Sequence, residues 1–289
     1  MSTTSAPEQE QSRPGVRGFL RLAAVLMLLL LPAAPPGARA TSLADVKARG
    51  RFVVICYPDA NNPFLARTAP GRFEGVDVSI LRSFAVSLGV PLEVHEITRF
   101  EDLMPALLRG EGDVIAGGFS ITPARQQLVD FSIPYFPVAI MVIARKDSGI
   151  RNVQGIAGKR GAAVAGTTHD ALMREMGIVP AFALKRSGLA YEALQRNDAD
   201  FAFVDSTSGV VSLDKFPSLT LVGMLPKADY YGFAVTKGSD LRGALGRHLA
   251  DIRQKGLLYK FFERHLGRNA VELYELFKKS TGGAPSRLP

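Results

Sequence analysis

The sequence predicts an α/β chain folded as two lobes joined by two crossings. Three observations carry this expectation. Short apolar runs alternate with amphipathic helical stretches, the alternation comes in two successive cycles, and a last strand-like run leads back towards the first cycle before two C-terminal helices. With 289 residues, 47% hydrophobic and 21% charged, the chain has enough apolar material for one or two real cores, which excludes a disordered composition.

The N-terminus stands apart. Met1 to Ser12 is polar, Arg13, Arg17 and Arg21 are basic, and LAAVLMLLLL runs apolar from Leu22 to Leu31. Pro32, Pro35 and Pro36 close that run, and Ala38-Arg39-Ala40 has the small-x-small pattern of a cleavage site. This predicts a secretory signal peptide over 1–40, cut after Ala40. The competing reading, an uncleaved anchor, needs ~20 apolar residues to span a bilayer, and the run is shorter. The lone cysteine, Cys56, ends the run Phe52-Val53-Val54-Ile55 and is expected to be a buried strand residue; an exported chain with one cysteine has no internal disulfide and must rest on its core.

The formal net charge is +8, and the leader's four arginines against two glutamates leave +6 on the processed chain. The basic residues are scattered, tryptophan is absent and no aromatic-basic repeat occurs, so nucleic acid is not an expected partner.

After the leader, RFVVICY reads as a buried strand, and GVDVSILRSFAVSLG places Val78, Leu81, Phe84, Ala85 and Leu88 at helical spacing before Gly89. LEVHEI follows as a strand, FEDLMPALLRG as a short helix and DVIAG as a strand, with VAIMVIARK from Val138 leaving this unit. The second cycle reads RGAAVAG (strand), THDALMREMG (helix), AFALKR (strand), SGLAYEALQRND (helix), DFAFVD (strand) and SLTLVG (strand). Tyr231 to Val235 then reads as a strand returning to the first unit. Ser239 is expected to cap a helix through Leu241, Leu245, Leu249, Ile252 and Leu257, and a last helix runs through Tyr259, Phe262 and Leu266. The expected division is lobe 1 over 41–143 and 232–280, lobe 2 over 144–231 and a disordered tail over 281–289. Hinges are expected near Ile143 to Lys146 and Ala228 to Phe233.

Open α/β sheets bind ligands at the carboxyl ends of their strands. In the first cycle that position is occupied by GGFSITPARQQLVDFSIPY, Gly117 to Tyr135, where Thr122-Pro123 reads as a helix N-cap followed by proline at the first helical position. Arg125 then falls in the first turn, where cations are disfavoured, which suggests that it and nearby N–H groups converge on an anion. In the second cycle Gly166-Thr167-Thr168 forms a hydroxyl-rich turn into a helix, and Asp205 ends an apolar strand ahead of Ser206 and Thr207. Alone, each has a plainer use: Asp205 as a helix cap, Arg125 as a solvated helix residue. Together, an arginine, two N–H-rich turns and one carboxylate match the two charges of a zwitterion.

In several ordered blocks between Arg51 and Gly267 the chain resembles the bacterial extracellular solute-binding proteins of the polar amino acid type, which serve ABC importers. GRFEGVDVSI is similar to that family's glycine-aspartate-valine-aspartate block, with Ser79 in place of the second acid; GDVIAGGFSITPARQQLVDFSIPY, GKRGAAVAGTTHD and ADFAFVDSTSG match the remaining blocks. The resemblance implies the type II periplasmic-binding-protein fold, a periplasmic location, a monomer, an inner-membrane ABC permease as partner, and no metal or cofactor. It implies that Arg125 clamps a ligand α-carboxylate with the Ser120 and Thr168 backbone N–H groups and the Thr167 hydroxyl. Asp205, the Gly118 carbonyl and the Ser120 hydroxyl would take the α-ammonium. Phe100 would pack over the ligand, as would position 61, where this chain has Asn61 instead of the usual aromatic; Pro58 stands where many relatives carry an acid. Two alternatives stay open: a sensor or regulatory module on the same lobes, and a cyclohexadienyl-type dehydratase, for which Asp229 is the acid nearest the second crossing.

Overall fold

A computed structural model describes residues 40–267, except positions 58, 60–61, 180–181 and 185–187. The expected leader, the C-terminal tail and the expectations placed on Pro58 and Asn61 lie outside the described residues. Among the described residues no helix is long and apolar enough to cross a membrane.

Two five-stranded sheets organise the chain. In the first, β1 (Phe52–Cys56) runs parallel to β4 (Leu92–Glu96) and β5 (Val114–Ala116), while β12 (Ala234–Thr236) pairs antiparallel with β5 and with β6 (Val129–Phe131). A small hairpin, β2 (Ala66–Ala69) and β3 (Arg72–Glu74), lies between β1 and the helix α2 (Val76–Leu88). The apolar faces expected from the periodicity are buried: α2 places Val78, Leu81, Phe84 and Ala85 in one core with Phe262 and Leu245 from the C-terminal helices α8 (Leu241–Gln254) and α9 (Leu257–Leu266). The opposite face of the sheet is covered by α3 (Leu103–Leu108), whose Leu103 and Leu107 pack on Ile55 and Ile115. Each such side chain contributes about 1.5–3 kcal/mol by leaving water.

The N-terminal helix α1 (Leu43–Arg49) starts in a capping box between Ser42 and Asp45, and the chain just before it is held by Thr41 N donating to Thr236 Oγ1 at 3.2 Å and Leu43 N to Asp240 Oδ1 at 2.8 Å. Asp240 occupies the cap position of α8, and the expected Ser239 sits one residue earlier, its hydroxyl accepting from Leu241 N at 3.2 Å.

In the second sheet β8 (Gly161–Val164) runs parallel to β9 (Phe182–Leu184) and β10 (Phe201–Asp205), and β7 (Phe136–Arg145) lies antiparallel between β10 and β11 (Leu219–Tyr231). Helices α5 (Thr168–Glu175), α6 (Gly188–Gln195) and α7 (Ser206–Lys215) cover it. The resulting architecture is the two-lobed type II periplasmic-binding-protein fold.

The structure corrects three expectations. SLTLVG and YGFAV fall in two strands, but with other bounds: β11 runs on from Leu219 to Tyr231 through two register shifts, and β12 begins only at Ala234. Helix α7 was absent from the expected order of elements, where only the cap use weighed for Asp205 pointed to it, because STSGVVSLDK is rich in hydroxyl, β-branched and glycine residues that have little helix propensity; packing on β7 and β10 overrides this. Ile143 to Arg145 are not a crossing, since Ile143 pairs with both Ala202 and Leu221 inside the second sheet. The chain leaves the first sheet after Phe131 and enters the second at Phe136, so the first crossing lies about ten residues earlier than the sequence suggested.

Candidate functional site

One pocket is lined by strand ends of both sheets: Gly117, Gly118, Phe119, Ser120 and Arg125 with Phe100 from the first, and Thr167, Thr168, His169, Phe203, Val204 and Asp205 from the second. It therefore gathers every described residue of the expected site. Tyr57, Asp59, Asn62 and Tyr231 also line it.

Arg125 belongs to α4 (Pro123–Gln126), whose cap is Thr122, its hydroxyl accepting from Arg125 N at 3.2 Å. The expected Thr-Pro helix start is thus present. Arg125 as a whole is 7% exposed. Nη1 donates to the Ser120 carbonyl at 2.8 Å and Nη2 reaches the Gly166 carbonyl, on the second-sheet side, at 3.5 Å. The ring of Phe119 lies 4.0 Å from the guanidinium carbon and that of Phe100 5.3 Å away. Such stacking fixes the plane of the cation and is worth ~2 kcal/mol in a desolvated site. Burial pulls the Arg125 pKa down to about 10, against the opposing pull of Asp229 and Asp205, which leaves the group charged at neutral pH.

Asp205 occupies the cap position of α7, yet its side chain makes no capping hydrogen bond. The carboxylate turns into the pocket, where Oδ1 lies 3.1 Å from His169 Nε2 and Oδ2 accepts from the Tyr231 hydroxyl at 2.6 Å. Burial pushes its pKa up, but His169, Tyr231 and Arg125 together outweigh that and hold it below the ordinary aspartate value. The helix-cap use that Asp205 would have on its own is therefore not the one the fold makes of it.

Thr167 does cap a helix. Its hydroxyl accepts from Asp170 N at 3.3 Å and donates to the Val164 carbonyl at 2.7 Å, so its proton is already committed. Thr168 opens α5, where a backbone N–H has no partner within the helix. Ser120 is buried and bridges to Tyr231 through an isolated β-pair. The Phe100 ring packs edge-on against Tyr57 at 5.8 Å and at the same distance from Phe119, so it flanks the arginine as well as the pocket.

Gly117 and Gly118 both have positive φ, 110° and 72°, a combination open to residues without a side chain. A Cβ on Gly118 would stand 3.1 Å from the Tyr231 ring. Behind this turn the fully buried Asp77 of α2 accepts from Gly117 N at 2.7 Å and Gly118 N at 2.9 Å, and from the Tyr135 hydroxyl at 2.6 Å. Asn62 holds the other side, donating to the Gly117 carbonyl at 2.8 Å.

Sequence reasoning missed Tyr231, His169, Phe119 and Asn62. Tyr231 and Phe119 looked like ordinary apolar strand and turn residues, and a lone His169 had no metal-ligand spacing to raise it. Among the described residues no group of three or more His, Cys, Asp or Glu side chains could hold a metal. Cys56 is buried, with its thiol pushed up to about 12 by burial and by Glu96, which leaves it without nucleophilic character at neutral pH.

The model for bacterial extracellular solute-binding proteins, family 3, matches residues 53–268. The amino-acid-binding protein AabA of Dichelobacter nodosus is 27% identical over 216 residues, covering 71% of this chain and 84% of its own. The membrane-bound lytic murein transglycosylase F of Desulfosudis oleivorans is 28% identical over 242 residues, 81% of this chain, and the match spans about half of that relative, 52%. Among solved structures, a mutant of ArgBP from T. maritima superposes with a TM-score of 0.72 at 30% identity, covering 77% of this chain and 98% of its own. With most of the chain inside the family match and the fold shared, the protein belongs to the bacterial extracellular solute-binding proteins of family 3.

Proposed function

We propose that this protein binds a free amino acid, or a related small zwitterion, between its lobes and delivers it to an ABC importer after export to the periplasm. The observation that carries the reading is the pair of opposite charges, Arg125 and Asp205, facing one pocket from two different sheets. Each end of a zwitterion loses much hydration on burial and needs a charged, hydrogen-bonded partner, which the two walls supply in opposite sign. Arg125, with the Thr168 and Ser120 N–H groups, takes the α-carboxylate, and the Thr167 hydroxyl joins them by turning its proton from the Val164 carbonyl to the ligand. Asp205, the Gly118 carbonyl and Ser120 take the α-ammonium, and Phe100 packs beside the ligand. The family membership and the relative AabA support this reading.

The lobes, roughly 41–135 with 232–267 and 136–231, rotate about the crossings at 132–136 and 231–234, the second lying slightly later than the expected Ala228 to Phe233, and close on the ligand as a monomer. A permease would read that closure. A thermal-shift and calorimetric screen of the exported protein against the twenty L-amino acids tests the proposal: a shift with one group of amino acids is expected, and none with any of them overturns it. A ligand at a hundredfold excess over Kd adds ~2.7 kcal/mol, well within reach of a melt.

The match to about half of a lytic transglycosylase supports a second reading, in which the same ligand-binding unit regulates another activity. Deleting the gene separates the two: transport predicts lost uptake of the bound amino acid, and regulation predicts unchanged uptake.

A further inference from the structure

Among the described residues around the pocket, Asp77 is charged in type, fully buried and without contact to the pocket, while both its oxygens are engaged by the elements that form it. One oxygen gathers the N–H groups of Gly117 and Gly118; the other accepts from Tyr135, whose backbone N–H in turn donates to the Tyr231 carbonyl at 3.0 Å. The carboxylate thus ties the glycine turn to both crossings at once. Two positive-φ glycines in sequence have wide conformational freedom, and a turn built from them presents its carbonyl reproducibly only if something external holds it. With both N–H groups committed to Asp77 on one side and the Gly117 carbonyl committed to Asn62 on the other, the Gly118 carbonyl is the group left to face the pocket.

We propose that Asp77 is a positioning residue for ligand binding: by holding the Gly117 and Gly118 N–H groups it presets the Gly118 carbonyl that receives the ligand's ammonium group. The inference rests on the reading of the pocket as an amino acid site. Its chemistry also separates it from a purely structural role. Burial pushes the Asp77 carboxyl up to about 6, with the Tyr135, Gly118 and Gly117 hydrogen bonds acting against it. Protonation would weaken the acceptor that holds the turn. The titratable groups facing it are the hydroxyls of Tyr135 and, beyond it, Tyr231, while His265 of α9 reaches α2 at Ser79, its Nε2 2.9 Å from that hydroxyl. Asp205 is a second carboxylate in the pocket itself, so the informative quantity is how the acid limb moves when only Asp77's partner is changed.

The test uses the exported protein and the L-amino acid that gives the largest thermal shift among the twenty, titrated calorimetrically between about pH 5 and 8. Asp77→Asn keeps the shape but gives up the charge, and is expected to raise Kd about tenfold at pH 7.5, the scale of a lost charged hydrogen bond. Tyr135→Phe leaves the glycine contacts in place but removes a hydrogen bond that favours the carboxylate; the acid limb of the affinity profile should move to higher pH. Unchanged Kd in a folded Asp77→Asn together with an unmoved limb in Tyr135→Phe overturns the positioning role while leaving the pocket reading intact. If Asp77→Asn does not fold, the Tyr135→Phe limb decides alone. Absence of binding by the unaltered protein to any of the twenty overturns the pocket reading, and this inference with it.

Discussion

The Tyr231 hydroxyl donates a hydrogen bond to Asp205 Oδ2 at 2.6 Å, from a backbone where the chain passes between the sheets. Its neighbours on both sides are bonded to the first sheet's turn, Ile121 N to the Tyr230 carbonyl at 2.8 Å and Gly232 N to the Phe119 carbonyl at 3.1 Å. The orientation of the second lobe's carboxylate is therefore set from the crossing. Removing that donor in Tyr231→Phe takes away one of the contacts that hold Asp205 below its usual pKa. Ligand affinity, which needs the ionised carboxylate, should then be lost at a higher pH on acidification than in the unaltered protein. A pH series of Kd values checks this; coincident acid limbs would show that the phenol does not tune Asp205.

Arg125 separates charge from shape. Arg125→Ala and Asp205→Ala each leave one ligand charge unpaired and should cost ~2–5 kcal/mol, roughly 30- to several thousand-fold in affinity. Arg125→Lys keeps the charge but cannot reproduce the planar stack on Phe119 at 4.0 Å or the fork of donors, so it should recover only part of that loss. Calorimetric titration of the three variants is the measurement, and full recovery by lysine would remove the bidentate clamp from the account.

Gly166 lies where the two lobes approach. Its φ is +75°, and a Cβ there would meet the Glu101 Cβ at 3.0 Å and its backbone Cα at 3.3 Å. Gly166→Ala should cost about 1 kcal/mol in backbone strain and, in addition, hold the lobes apart. The expected result is weaker ligand binding with a smaller ligand-induced decrease in the radius of gyration by solution scattering. A full decrease would mean that the lobes close along a different path.

Asp77 should leave a signature in stability as well. Its folded pKa, raised to about 6 chiefly by burial, lies above the ordinary carboxylate value, so the folded state binds more protons than the unfolded one between about pH 4 and 6. The contribution of this group is therefore fully favourable below the unfolded pKa and is lost as pH rises through 6, an amount on the order of 3 kcal/mol. Denaturant unfolding across that window should show a smaller loss of stability in Asp77→Asn than in the unaltered protein; parallel pH profiles would contradict the assignment.

Processing is testable at one bond. Cleavage after Ala40 would leave Thr41 as the new N-terminus, at the residue whose N–H reaches Thr236 Oγ1 at 3.2 Å and whose carbonyl accepts from Ser239. N-terminal sequencing of the exported protein should read Thr-Ser-Leu-Ala. A start further along the chain would remove these contacts from the mature protein.

The sequence alone determined what local pattern can encode. Helical spacing in α2, the Thr122-Pro123 helix start and the runs of β1, β5 and β10 were legible because periodicity and capping are properties of neighbouring residues. The ordered blocks also marked Arg125 and Asp205 as partners, through strand ends that open α/β sheets turn towards ligands. Only the tertiary structure decided what those residues touch. Asp205 could equally have capped α7, and it faces His169 and Tyr231 instead because strands far apart in sequence meet at the pocket. The first crossing was misplaced for the same reason: Phe136 to Ala144 is one uniformly apolar run, and which part of it belongs to the second sheet is settled by pairing with β10 and β11, partners about sixty to ninety residues away that no local pattern can identify.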